Sequence, residues 1–107
     1  MIFTKEHVER IRTGRKTVTR RIWKRPHVKV GGIYSIRTDR FKPAPADAPR
    51  IVVISMTVEP LKYVGNNKAL LEGYNSRREF ESAWIKLHGV WNPNQEIYVV
   101  KFLRVEL

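Results

Sequence analysis

His7, Val8 and Ile11 recur at three- and four-residue spacing between Thr4 and Thr13, the rhythm of a short helix with one apolar face. Thr4 stands where such a helix needs a cap, and Gly14 follows as its stop. From Thr17 to Ile22 the rhythm changes to β-branched residues interleaved with arginine, which predicts a strand. Alternation along that strand places Thr17, Thr19 and Arg21 on one face and Val18, Arg20 and Ile22 on the other. A basic turn through Lys24, Arg25 and Pro26 then leads to Gly31-Gly32 and a second predicted strand, Ile33 to Thr38.

Phe41 to Pro49 contains three Pro and three Ala, which excludes a regular ladder and predicts a surface loop. Ile51 to Leu61 reads as a long strand, and Asn66-Asn67 opens a break before a short helical run, Lys68 to Glu72, that Gly73 stops. The next helix is the best punctuated. Ser76 and Glu79 have the spacing of a capping box, Phe80, Ala83, Trp84 and Leu87 line one face, and Gly89 follows His88 as the C-terminal stop. Pro93 closes the following loop, and Ile97 to Val105 is a last apolar strand. Short strands with a few helices and no βαβ alternation predict an α+β fold, a compact mixed sheet or small barrel with helices packed at its mouth.

At 107 residues and 42% apolar content the chain can close one core, so residues 1–107 are expected to form a single domain. The absence of Cys excludes a disulfide framework, a thiolate metal site and a Cys nucleophile, and permits the reducing, cytoplasmic location expected here. The longest apolar run, Ile51 to Ile54, is too short to span a bilayer, so no membrane partner is expected. Charge changes the picture most. Lys plus Arg number 21 against 10 Asp plus Glu, a formal charge of +11, and the ten basic residues from Arg10 to Arg37 have no acidic residue among them. A polyanion is the matching partner, with a solubilising surface or an acidic protein partner as the plainer alternatives. His7, His27 and His88 lack metal-ligand spacing, and no phosphate loop or Ser-His-Asp order is present, so neither metal nor cofactor is expected.

Gly14-Arg15-Lys16-Thr17-Val18-Thr19-Arg20-Arg21 lies where the first helix hands over to the first strand. It resembles the signature of the ASCH domain, Gly-x-Lys-x-x-Glu-x-Arg, in Gly14, Lys16 and Arg21, with Thr19 at the usual Glu position. Glu72-Gly73-Tyr74, the Ser76-capped helix with Trp84, and His88-Gly89-Val90-Trp91 extend the resemblance over nearly the whole chain. It implies a PUA-like small β-barrel with flanking helices and a basic cleft that takes RNA or a modified nucleoside. Thr19 points to the small acetylcytidine amidohydrolases, whose form Gly-Arg-Lys-Thr-Ile-Thr-Ile-Arg differs here only at Val18 and Arg20. Carried over by position, that likeness implies catalytic roles for Lys16, Thr19 and Glu72.

The residue types suit the chemistry. Cleaving an amide on the exocyclic amine of a base needs an oxygen nucleophile, a group to take its proton, and donors for the oxyanion and the leaving amine. Thr19 offers the hydroxyl, and Lys16 becomes a base if burial and the charges of Arg15, Arg20 and Arg21 lower its pKa. Glu72 then returns a proton to the amine. Lys16 has the strand parity opposite to Thr19, so it reaches Thr19 only if the residues after Gly14 form a turn. Arg15, Arg20, Arg21, Lys24 and Arg25, with Trp23 among them, make the expected binding set for substrate or nucleic acid. Trp23 could equally cover an end of the barrel, Trp84 is expected in the core, and His88 suits the negative end of its helix. A non-catalytic RNA-binding module and an ASCH-type ribonuclease remain alternatives to the amidohydrolase.

Overall fold

A computed structural model describes residues 1–105. Its elements are α1 (Lys5–Arg12), β1 (Val18–Arg21), β2 (Ile33–Ser35), β3 (Arg50–Pro60), a single 3-10 turn (Leu61–Tyr63), α2 (Asn66–Leu71), α3 (Arg77–His88) and β4 (Glu96–Val105). The strands form one antiparallel sheet in the order β1-β4-β3-β2. The α+β class is as expected, but the sheet stays open. Its two edges, β1 and β2, do not pair with each other, so the expected barrel is not closed among the described residues.

The second predicted strand explains part of that opening. Only Ile33–Ser35 pairs with β3 as regular strand. The remainder turns to the N-terminal segment, where Arg37 forms a parallel bridge with Ile2, donates its N–H to the Met1 carbonyl at 2.9 Å and accepts from Phe3 N at 3.0 Å.

Helix ends follow the local signals closely. Thr4 Oγ1 accepts from His7 N at 3.3 Å, and Gly14, at φ +80°, takes the left-handed conformation just past the C-cap Thr13. Ser76 Oγ accepts from Glu79 N at 3.2 Å, but the Glu79 carboxylate binds Asn75 Nδ2 at 3.2 Å, so half of the expected capping box forms. Gly89, at φ +84°, ends α3.

Three apolar clusters hold the layers together. Leu61, Val64, Ala69, Phe80, Trp84 and Ile97 pack α2 and α3 on one face of the sheet. Phe3, Ile11, Ile36, Ile51 and Phe102 seat α1 on the other face, and Val28, Val53 and Val100 continue that layer. Trp84 is buried as expected, but Leu87 is 78% exposed. The last turn of α3 runs beyond the core and overhangs a cleft, which Leu87 lines.

A β-bulge between Val53 and Ser55 adds one residue to β3, leaving Ile54 without a partner in the register. Val53 pairs with Phe102, whereas Ser55 pairs with Lys101, so odd-numbered residues change face across the bulge. Glu59 therefore shares the face of Ile97, Val99 and Arg20.

Candidate active site

Gly73 and the chain after α1 bring the expected catalytic residues together. Lys16 N donates to Arg10 O at 3.0 Å and Thr17 N to Leu71 O at 2.9 Å, which lays the Lys16 segment against the end of α2. Gly73 has φ +94°, and a Cβ there would lie 3.0 Å from Arg10 Cδ and 3.4 Å from Lys16 Cβ. Only glycine meets both demands comfortably. Glu72 is thereby held against Lys16 with almost no exposure of either side chain.

Both Glu72 carboxylate oxygens are occupied. Lys16 Nζ donates to Oε1 at 2.9 Å and to the Glu72 carbonyl at 2.9 Å, while Arg20 Nη1 donates to Oε2 at 2.9 Å. Arg20 Nη2 and Lys68 Nζ both reach Glu59 Oε1 at 3.4 Å, extending the chain of alternating charges. Arg20 Nε is buried, with no hydrogen-bond partner among the described residues. Thr19 is buried too, and its Oγ1 accepts from Arg21 Nε at 3.2 Å, which leaves the hydroxyl proton available for donation elsewhere.

Lys16, Thr19 and Glu72 line one cavity of about 1180 Å³, with Arg20, Arg21 and Trp23 in its wall. Register explains how residues of opposite parity share it. Thr19 and Arg21 pair with Val100 and Tyr98 on one face of the sheet, whereas Val18 and Arg20 pair with Lys101 and Val99 on the other. Because β1 is an edge strand, both of its faces reach the same cleft. Lys16 directs its ammonium to Glu72, and among the described residues no hydrogen bond joins it to Thr19.

Electrostatics in the cleft follow from burial and excess cation. Burial lowers the pKa of Lys16 from its ordinary value, with Arg21 and Arg20 acting in the same direction and Glu72 opposing them. His7, which also lines the cleft, is lowered to about 4 by burial and by the charges of Lys16, Arg10 and Arg21. Burial raises the Tyr74 phenol, and the charge of Glu72 adds to that rise.

The expected binding set divides. Arg20, Arg21 and Trp23 line the cleft, whereas Lys24 and Arg25 are exposed outside it. Arg15 is also exposed and outside, hydrogen-bonded to Asn75 Oδ1. Trp23 stacks on His27, with centroids 4.8 Å apart and ring planes at 19°. His7, Tyr74 and the apolar wall of Phe80, Trp84 and Leu87 were not legible as cleft residues, although the helical spacing of His7, Phe80, Trp84 and Leu87 was. Among the described residues no cluster of three or more His, Asp or Glu offers a metal donor set.

No protein-family model matches the sequence, and neither does any curated protein. Solved structures match in shape. An ASCH domain from Lactobacillus crispatus is similar at a TM-score of 0.65 and 16% identity, over 92% of this chain and 70% of that one. A DUF984 protein from Enterococcus faecalis gives 0.62 and 17%, over 97% and 74%. A mutant of an ASCH protein from Zymomonas mobilis gives 0.59 and 13%, over 100% and 73%. This chain has the ASCH fold, as the Gly14 to Arg21 signature implied.

Proposed function

We propose that the protein is a metal-independent amidohydrolase that removes the acyl group from the exocyclic amine of an acylated cytidine or cytosine. The observation that carries this reading is the convergence of Lys16, Thr19 and Glu72 on one cavity, with Lys16 and Glu72 joined at 2.9 Å in a nearly water-free setting. Thr19 Oγ1 attacks the acyl carbon and its proton passes to the neutral form of Lys16. Lys16 rests on Glu72 in the free protein and turns to Thr19 when substrate fills the cleft, since catalytic hydrogen bonds of free enzymes tighten in the complex. Arg20 and Arg21 supply positive charge for the tetrahedral oxyanion. The proton then moves from Lys16 along its hydrogen bond to Glu72, which delivers it to the departing amine as the carbon–nitrogen bond breaks. Water hydrolyses the Thr19 ester, releasing the carboxylic acid and restoring the hydroxyl.

The test is incubation of purified protein with acetylcytidine, both free and within a short oligonucleotide, following the ultraviolet change to cytidine. Turnover that exceeds a Lys16→Ala control supports the reading, and none above that control overturns it.

A second reading, RNA binding without chemistry, draws on Lys16 being docked on Glu72 rather than on Thr19. Salt titration separates the two. A strand bound through several phosphates shows log K falling with log[salt] at about −0.7 per phosphate, and such a slope without any turnover favours the binding module.

A further inference from the structure

Beside the cleft lies a smaller cavity of about 270 Å³ whose polar wall is built around Arg21 and Arg37. Among the described residues no acidic one lines it. Arg21 spends Nε on Thr19 Oγ1 and Nη2 on the Ile2 carbonyl at 2.8 Å, and its guanidinium lies 4.7 Å from the Phe3 ring centroid. The Arg37 backbone is fixed by its bonds to Met1 and Phe3, but its half-buried side chain has no hydrogen-bond or ion-pair partner among the described residues. Among the described residues neither arginine has an ion-pair partner: Glu72 pairs with Lys16 and Arg20, and Glu59 with Arg20 and Lys68.

Two guanidinium groups line one small cavity, neither in an ion pair among the described residues, and an anion seated between them is attracted by both. Guanidinium suits phosphate in particular, because its planar donors match two phosphate oxygens at once. The remaining wall carries the rings of Trp23, His27 and Tyr34 beside Met1, Ile2 and Val28. Ile2, Arg21 and Trp23 belong to both cavities, and Arg21 touches Thr19 directly. A ligand with its reacting group at Thr19 therefore has Arg21, and behind it Arg37, within reach of its neighbouring groups.

We infer that the Arg21–Arg37 cavity is a phosphate subsite, and that the substrate of the cleft is a cytidine nucleotide, alone or within a strand, rather than a free nucleoside. This rests on the reading of the larger cleft as the place of the base. The larger cavity holds the acylated base, and the sugar spans the wall shared at Arg21 and Trp23. The phosphate supplies a counter-charge to Arg21 and Arg37.

Calorimetry at low salt tests this with cytidine, its monophosphates and a short cytidine oligonucleotide. A monophosphate or the oligonucleotide should bind at least about tenfold more tightly than cytidine, as expected for one or two charge-assisted hydrogen bonds. Arg37→Gln should erase that gain while leaving cytidine affinity unchanged, since Arg37 does not line the larger cavity. An oligonucleotide that outbinds the monophosphates marks a strand as the ligand, and equal affinity marks the mononucleotide. Phosphorylated ligands that bind no better than cytidine, or a gain that survives Arg37→Gln, overturn the subsite. Inorganic phosphate gives a check that needs no variant: it should weaken binding of the phosphorylated ligand and not of cytidine, and equal weakening of both, or of neither, overturns the subsite. If no acetylated substrate is hydrolysed while the Arg37-dependent gain persists, the catalytic reading falls and the subsite stands.

Discussion

Two adjoining stretches of the chain, Gly14 to Arg21 and Ile22 to Val30, are both rich in Lys and Arg, yet the fold treats them in opposite ways. In the first, Lys16 and Arg20 are only 3% and 6% exposed and are paired through Glu72. In the second, Lys24, Arg25 and Lys29 stand in solvent with no acidic partner among the described residues. Composition does not separate them. What separates them is a backbone threaded between α1, α2 and β4, which desolvates one set of charges and so forces it to find partners. The buried set gains defined geometry, and Lys16 a lowered pKa, the conditions for chemistry, whereas the exposed set offers long-range attraction to a polyanion.

That contrast is sharpest in activity at Thr19. Thr19→Val keeps the β-branched shape, so hydrolysis of acetylcytidine should fall by orders of magnitude with the fold retained. Stability should drop by about 1–3 kcal/mol, because Arg21 Nε loses its acceptor. Wild-type turnover in this variant would remove Thr19 from the mechanism. In the exposed stretch, the double change Lys24→Gln with Arg25→Gln should leave kcat unchanged.

Glu72→Ala is expected to have the largest effect on stability itself. It leaves Lys16 and the buried Nη1 of Arg20 without their main counter-charge, and breaking a buried pair of this kind costs about 3–5 kcal/mol. Denaturant unfolding monitored by tryptophan fluorescence measures it. A loss below about 1 kcal/mol would mean that water enters the network and that the two stretches differ less than their burial implies.

His7 carries the comparison into pH. Its pKa is lowered from 6.5 to about 4 in the folded protein by burial and by Lys16, Arg10 and Arg21. Below pH 6.5 the unfolded chain takes up a proton that the folded one refuses, so stability should decline as pH falls from 6.5 to about 4. Below that range this contribution levels off. His7→Asn should flatten the decline, and melting temperatures of both proteins across that range would show it. A parallel decline in the two would place the pH dependence elsewhere.

The smallest effect belongs to the exposed stretch. Lys24→Gln with Arg25→Gln should change stability by less than about 0.5 kcal/mol, because neither side chain makes a buried contact. A larger loss in urea unfolding would show that these cations are not simply solvated.

Much was legible along the chain. The caps at Thr4 and Ser76, the left-handed glycines after α1 and α3, the strand at Val18–Arg21 and the apolar stripe holding Phe80 and Trp84 all follow from local spacing, because helix ends and strand faces are set by residues a few positions apart. The signature from Gly14 to Arg21 also identified the fold and named Lys16 and Thr19. Relations between distant segments were not legible. No local pattern shows that β1 lies at an edge, where residues of both parities share one cleft, or that a bulge after Val53 turns Glu59 toward Arg20. Nor does any show that Arg37, read as the end of a strand, pairs with Ile2 and comes to face Arg21 across a small cavity. Periodicity records which face a residue takes within its own element. Which charges are buried together depends on how the elements stack, and that was decided by long-range packing.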